Sequence, residues 1–436
     1  MREKIKKIFF SALKNDLIKV FSLTALSTSV KMVTALITTK VVAIIVGPSG
    51  VALLGQLTNF VTIILNLASG GINNAITKYI AEYKESDSKI TALLSTAFRI
   101  IAVCSVVTAV IMVLFNERIS RWILFSEEYG FVFVVFGLTV IFYAINNMLI
   151  SAVNGFKCFR LYTILNIAGS ILGVIFSVIF VLTMGLSGAM IATVTYQSIV
   201  LGVTFVLLRK ELWFKISRFT DKLNKKIFWQ FLKFSLASIV FIVSAPISQM
   251  LLRGYVIADI SESQAGIWEG MNRISMMYMM VISMSLTVYY IPRLSELQTK
   301  EEIREEIIKA YKFLVPLLLV GFILVYFLRH IIIWILYTPD FVSMERLFGW
   351  QLLLDMVKAV SFVVAYLLIA KAKVFIYTVT TLVFSALYLS VGYILLRIQN
   401  DVVGIIQGEL LTQTLYFVTI VFILRKTLFR RYYKFS

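Results

Sequence analysis

Long runs of apolar residues without a single charge recur along the whole chain. Residues 51–77, 129–156, 161–208, 234–252, 274–292 and 374–396 contain no Asp, Glu, Lys or Arg, and each approaches or exceeds the about 20 residues that one helix needs to cross hydrocarbon. The strict apolar–polar alternation of a membrane barrel strand is absent from them. Lipid cannot satisfy free backbone groups, so spans this apolar must be helices. The pattern predicts about twelve, at roughly 17–46, 50–77, 90–115, 129–154, 158–184, 187–209, 228–256, 264–292, 308–328, 346–370, 373–397 and 402–424. The fold class is therefore all-α and polytopic.

The polar residues between these runs are sorted by sign and by side. Taking alternate connections together, one side collects Arg2 to Lys14, Lys78 to Lys89, Lys157 and Arg160, Arg209 to Lys226, Arg293 to Lys312, Lys371 and Lys373, and Arg425 to Lys434. The opposite connections hold only Arg118, Arg121, Arg253, Arg329, Arg346 and Arg397. Cytoplasmic loops retain Lys and Arg, so both termini are expected in the cytoplasm of a multi-pass inner membrane protein. The basic start runs into a long apolar helix, which reads as a retained first span rather than a removed signal peptide.

The two halves share a weak, ordered repeat. Phe115, Ile119, Trp122, Ile123, Leu124 and Phe125 recur as Phe327, Ile331, Trp334, Ile335, Leu336 and Tyr337, while Tyr162-Thr163 matches Tyr377-Thr378 and Gly188 matches Gly404. Six helices separate equivalent positions, so the halves run parallel, related by an axis along the membrane normal. This predicts an N-terminal lobe of six helices at 1–212, an amphipathic cytoplasmic linker at 213–227 lying on the inner leaflet, and a C-terminal lobe of six helices at 228–436. A substrate path between the lobes is expected.

Composition narrows the function. The chain is 60% hydrophobic and 15% charged, against about 45–50% apolar in soluble domains. Its net charge of +19 sits in short loops beside the spans, which is a topology signal and not the basic face of a nucleic-acid-binding domain. There is no GxxxxGK[ST] phosphate loop, no HExxH and one histidine, His330, which disfavours ATP-driven transport and zinc chemistry. Cys104 and Cys158 make no disulfide framework or metal site. We expect no cofactor, no metal and no catalytic residue.

Charges inside the spans carry the remaining signal, because placing one at a helix centre costs about 2.5–3.5 kcal/mol even on the mild insertion scale. Lys19 and Lys233 lie near span ends and can snorkel. Lys31, Lys40, Arg99, Arg273 and Lys358 lie deeper, against the acids Glu269, Asp355 and Glu409. Glu269 and Arg273, and Asp355 and Lys358, have the spacing to pair on their own helices. The surplus of cations favours an anionic substrate. Lys31 and Lys40, nine positions apart, fall on opposite faces of a straight helix, and Lys31 is nearer mid-span. Pro246 and Pro316 fall inside helices and invite kinks. Gly169 with Gly173, and Gly266 with Gly270, have the spacing of close helix contacts.

Several segments together resemble the Wzx-type flippases of lipid-linked oligosaccharides. They are Lys31 and Lys40, Gly47-Pro48-Ser49-Gly50, Thr77 to Tyr83, Gly266-Ile267-Trp268-Glu269-Gly270, Trp350-Gln351-Leu352 with Asp355 and Lys358, and Tyr366 to Ala372. The likeness runs in order over nearly the whole chain and is closest to the O-antigen and enterobacterial common antigen translocases. It implies the multidrug/oligosaccharidyl-lipid/polysaccharide exporter (MATE/MOP) superfamily, with two six-helix lobes around a central cavity. It implies a substrate of undecaprenyl-pyrophosphate-linked oligosaccharide, moved to the periplasmic leaflet by alternating access with ion or potential coupling. On this reading Lys31, Lys40, Arg253, Arg273 and Lys358 attract the pyrophosphate, with Arg253 at the outer mouth, and Glu269 and Asp355 tune them or carry protons. The implied partners are the lipid bilayer, a polysaccharide polymerase and a chain-length regulator, around a monomer.

Two other classes remain open. A cation-coupled multidrug antiporter of the same fold would carry net negative charge in its cavity. A membrane-embedded sugar polymerase or glycosyltransferase would need a sizeable outer loop or metal-binding acids, and the outer connections here are short.

Overall fold

The computed structural model describes residues 16–371 and 373–428. The basic segments Arg2 to Lys14 and Arg430 to Lys434 lie outside the described residues, as does Ala372 at the end of one family-like segment. The described chain is helical throughout. Its elements are α1 (Asp16–Ala68), α2 (Asn73–Tyr83), α3 (Asp87–Leu114), α4 (Asn116–Leu124), α5 (Gly130–Gly155), α6 (Phe159–Leu208), α7 (Ser217–Thr220) and α8 (Lys225–Asp259). There follow α9 (Glu262–Ser285), a π turn (Leu286–Tyr290), α10 (Ile291–Glu296), α11 (Lys300–Phe327), α12 (Arg329–Leu336), a 3-10 turn (Pro339–Met344), α13 (Glu345–Ala370), α14 (Val374–Gln399), α15 (Val403–Ile423) and α16 (Arg425–Leu428).

Ten of the described helical stretches are long and apolar enough to cross a membrane. Two of them are far longer than one crossing requires. At 1.5 Å per residue, α1 with its 53 residues and α6 with its 50 extend about 75–80 Å, more than twice the about 30 Å of hydrocarbon. Each is broken by a glycine outside helical geometry, Gly47 at φ 63° and Gly185 at φ 58°, a left-handed conformation that an L side chain adopts only with strain. The breaks fall where the hydropathy pattern separates 17–46 from 50–77 and 158–184 from 187–209. The second expected span is shorter than predicted: α1 stops at Ala68, and Gly70 and Gly71, both at positive φ, turn the chain into the separate helix α2.

The chain forms two compact units. The first comprises residues 1–45 and 56–246, the second 46–55 and 247–436. The division within α8 thus falls at Pro246 rather than at the expected linker, and a short piece of α1 belongs to the second unit. The linker itself is not one amphipathic helix. Ser217–Thr220 is a short helix of its own and Lys225 already opens α8, while the stretch between and before them is strapped to the first unit. Arg218 grips the Asp87 carboxylate at 2.7 and 2.8 Å, Phe156 stacks on Trp213 at 4.7 Å, and Arg99 donates to the Thr220 and Asp221 carbonyls. Arg99, expected among the charges deep in the spans, is an exposed residue of this strap.

The sequence repeat has structural counterparts. Its first segment forms α4 and its second forms α12, short helices that directly follow α3 and α11. The matched Trp122 and Trp334 are each 77% exposed. Gly188 and Gly404 act alike, each lying where a Cβ would run into a carbonyl of the preceding helical stretch, Phe180 in one case and Leu395 in the other.

Candidate functional site: two ion networks in the second unit

The second unit gathers most of the charged residues singled out from the sequence. Helix α9 carries Glu269 and Arg273 on one face and, within two more turns, Ser275 and Tyr278 on another. The face holding Glu269 is close-packed. A Cβ at Gly266 would lie 1.8 Å from the Pro48 carbonyl oxygen, and one at Gly55 only 2.7 Å from Glu269 Cδ. Both contacts come from the piece of α1 that belongs to this unit, so Gly266 does lie at the close approach its spacing suggested. Gly270 meets Tyr337 and Met344 instead, and Tyr337 donates a 2.9 Å hydrogen bond to its carbonyl.

In the first network one carboxylate serves two guanidiniums. Arg253 Nη2 donates to Glu269 Oε2 at 2.5 Å and Arg273 Nε donates to Oε1 at 3.0 Å. Arg253 is 0% exposed and its guanidinium sits over the Trp268 ring at 5.6 Å. Arg253, expected at an outer mouth, is a buried member of this network. Helix α8 continues past it to Asp259, and the side chain reaches a carboxylate on the next helix that no spacing along the chain places beside it.

The second network centres on Asp355, also 0% exposed. Its Oδ2 accepts from Ser275 Oγ at 2.7 Å and from the Tyr278 hydroxyl, and Gln351 Nε2 donates to both oxygens at 3.1 Å. Lys358, expected to pair with Asp355, stands 3.9 Å from it and bonds Glu409 of α15 at 2.6 Å. The ammonium therefore spans two carboxylates on two helices. An α13 spacing of four could have flagged Gln351 beside Asp355. Ser275, Tyr278 and the Lys358–Glu409 pair come from neighbouring helices, and no pattern within one sequence joins them.

Charge within the two networks closes. Arg253, Arg273 and Lys358 face Glu269, Asp355 and Glu409, three against three. Lys31 and Lys40 lie elsewhere, on the part of α1 that belongs to the first unit. Lys31 is exposed and Lys40 half-buried, and among the described residues Lys31 makes no ion pair. Among the described residues no group of His, Cys, Asp and Glu is arranged to hold a metal ion. His330, read as incidental, contacts the Glu345 carboxylate through Nδ1.

Comparison with known proteins places this arrangement. Residues 17–298 match the family described as polysaccharide biosynthesis protein. The lipid III flippases of Escherichia coli (strain K12) and Shigella flexneri are each 29% identical over 354 residues, covering 81% of this chain and 85% of theirs. These relatives are flippases, not enzymes. Among solved structures, an inward-facing multidrug resistance MATE family transporter of the MOP superfamily superposes with a TM-score of 0.77 at 14% identity, covering 91% of this chain and 95% of its own. An outward-facing structure gives 0.69 at 14%, covering 95% and 97%. Identities this low establish the fold alone. The resemblance to Wzx-type flippases is borne out from both directions, by flippases among the relatives and by exporters among the folds. The chain is a membrane-spanning member of the polysaccharide biosynthesis protein family and has the fold of the MATE transporters.

Proposed function

We propose that this protein flips an undecaprenyl-pyrophosphate-linked oligosaccharide, of the O-antigen or enterobacterial common antigen type, from the cytoplasmic to the periplasmic leaflet of the inner membrane. The observation that carries this reading is the 29% identity to lipid III flippases over 81% of the chain. The architecture assigned to it has twelve spans, obtained by dividing α1 and α6 at Gly47 and Gly185. They form two parallel six-helix lobes around a central cavity, with both termini cytoplasmic. Transport is by alternating access. A polysaccharide polymerase and a chain-length regulator are the expected partners of a monomeric flippase.

Within this reading the charged residues divide by role. Lys31, with Lys40, supplies the positive charge that draws the pyrophosphate, because the cations of the two networks are matched by the carboxylates within them. The Arg253–Glu269–Arg273 network holds helices α8 and α9 together. Asp355, Lys358 and Glu409 form the coupling element, in which the Lys358 ammonium is held between the two carboxylates, 2.6 Å from Glu409 and 3.9 Å from Asp355. Multidrug antiport, the alternative, draws support from the fold alone.

Depletion of the protein in its native cell tests the proposal. Mass spectrometry should then find lipid-linked oligosaccharide accumulated on the inner face. Unchanged lipid-linked sugar together with raised sensitivity to cationic drugs would replace flipping by antiport.

A further inference from the structure

The second unit holds a cavity of about 700 Å³ that neither ion network uses, between the C-terminal end of α11, the start of α12 and the first turns of α13. Its volume is that of a small-molecule site, about 300–1,000 Å³. Arg329, Arg346 and Ser343 are among its lining residues, together with Tyr326, Trp350 and Leu353. The charge-derived topology puts this end of the helices at the periplasmic surface.

Two features of the lining point to one kind of ligand. The first is a guanidinium without an ion pair beside a second that has donors to spare. Arg329 bonds only the Tyr326 carbonyl, at 2.8 Å, and stacks over that ring at 4.4 Å; among the described residues it makes no ion pair. Arg346 contacts Asp401 and donates to Gln264 at 2.8 Å, and each guanidinium has five N–H donors to share. Glu345, the acid of the lining, is engaged by His330. The second feature is a polarity gradient. From Tyr326 the same face of α11 continues through Ile323 and Leu319, 55% and 49% exposed, and on α13 Trp350 leads to Leu353, 50% exposed. Tyr and Trp mark the head-group level of a bilayer, and below them both walls are apolar.

From this juxtaposition we infer that the α11–α13 cavity is a binding site for a phosphate-bearing lipid, its phosphate between Arg329 and Arg346 and its chain along α11 and α13. Guanidinium forks match phosphate oxygens, and the aromatic pair flanks the glycerol region. Gly349 keeps the cavity open, since a Cβ there would find only the Tyr326 ring, at 3.8 Å. The inference does not depend on the flippase reading.

Native mass spectrometry of the protein purified in neutral detergent tests this, with phosphatidylglycerol, diacylglycerol and inorganic phosphate as probes. The parent should retain one phosphatidylglycerol that Arg329→Ala weakens about ten-fold, the worth of one charged hydrogen bond. Gly349→Leu fills the cavity with every charge intact and should weaken it at least as much, so a loss in that variant cannot come from broken ion pairs. Diacylglycerol lacks the phosphate and should not compete. Equal retention in parent and both variants, effective competition by diacylglycerol, or binding of inorganic phosphate without lipid would each overturn the assignment.

Discussion

Replacing Glu269 by Gln keeps the shape of the side chain and removes the one charge that Arg253 and Arg273 share. Arg253 is fully buried and the Glu269 side chain is 7% exposed, so the pair is screened from solvent. Removing one partner of such a pair costs about 3–5 kcal/mol, because a desolvated charge is left behind. For a unit of about 200 residues each kcal/mol moves the melting temperature by about 2–4 °C, which predicts a fall of about 6–20 °C in detergent. Arg273, 19% exposed, is partly hydrated, and Arg273→Met should cost less, about 1–3 kcal/mol. The decisive variant is the double substitution Glu269→Gln with Arg253→Met, which removes the stranded cation and should melt above Glu269→Gln alone. Melting is read by loss of the monodisperse peak after heating. If Glu269→Gln melts with the parent, or the double variant melts below the single one, the network is not a structural strut. A proton-carrying Glu269 would give the opposite pattern, lost transport at unchanged melting temperature.

Three further outcomes follow from the same geometry. Lys31→Ala should reduce flipping at least ten-fold at unchanged protein level while Lys31→Arg retains it, as measured by outer-face accessibility of the lipid-linked sugar; normal flipping in Lys31→Ala removes the residue from the substrate path. Glu409→Gln should leave the protein folded but uncouple transport from an imposed pH gradient in proteoliposomes, and an unaltered response would free the Lys358 bridge from any coupling role. Gly266→Ala should collapse the yield of folded protein, since its Cβ would overlap the Pro48 carbonyl, whereas Gly185→Ala meets open space and should cost only the left-handed backbone penalty of about 1–2 kcal/mol.

The fold was largely legible because hydrocarbon imposes one solution on an apolar run. The pattern placed α3, α5, α11, α13, α14 and α15 to within a few residues at most ends, and it separated the halves of α1 and α6 where glycine breaks them. It failed where boundaries are set by something other than hydropathy. Residues 69–77 are apolar enough to continue a helix, yet Gly70 and Gly71 turn the chain, and the Gly70 carbonyl accepts from Ser235 Oγ, a residue far away in sequence. The α11 helix begins at Lys300, well before its apolar stretch, because Thr299 and Glu302 form a capping box. The linker is basic and amphipathic in composition, but its aromatic residues stack on the first unit rather than forming a helix.

The charged site was half legible, and what was missed changes its meaning. Counted along the chain, the spans hold five cations against three acids. The structure keeps those totals while exchanging one member: Arg99 leaves for the linker strap and Arg253 enters as a buried partner of Glu269. The sum is unchanged, but its distribution is not. Every cation of the two networks has a carboxylate at hand, so those networks, taken alone, have no net pull on an anion. The surplus resides on α1, where Lys31 is exposed and without an ion pair among the described residues. A total charge can be read from one sequence; which charges cancel is a property of helix packing, and Ser275, Tyr278 and Glu409 reach their partners only through it. Attraction of a pyrophosphate should accordingly be lost by neutralising Lys31. Neutralising Lys358 should instead leave binding in place and alter how transport answers to protons.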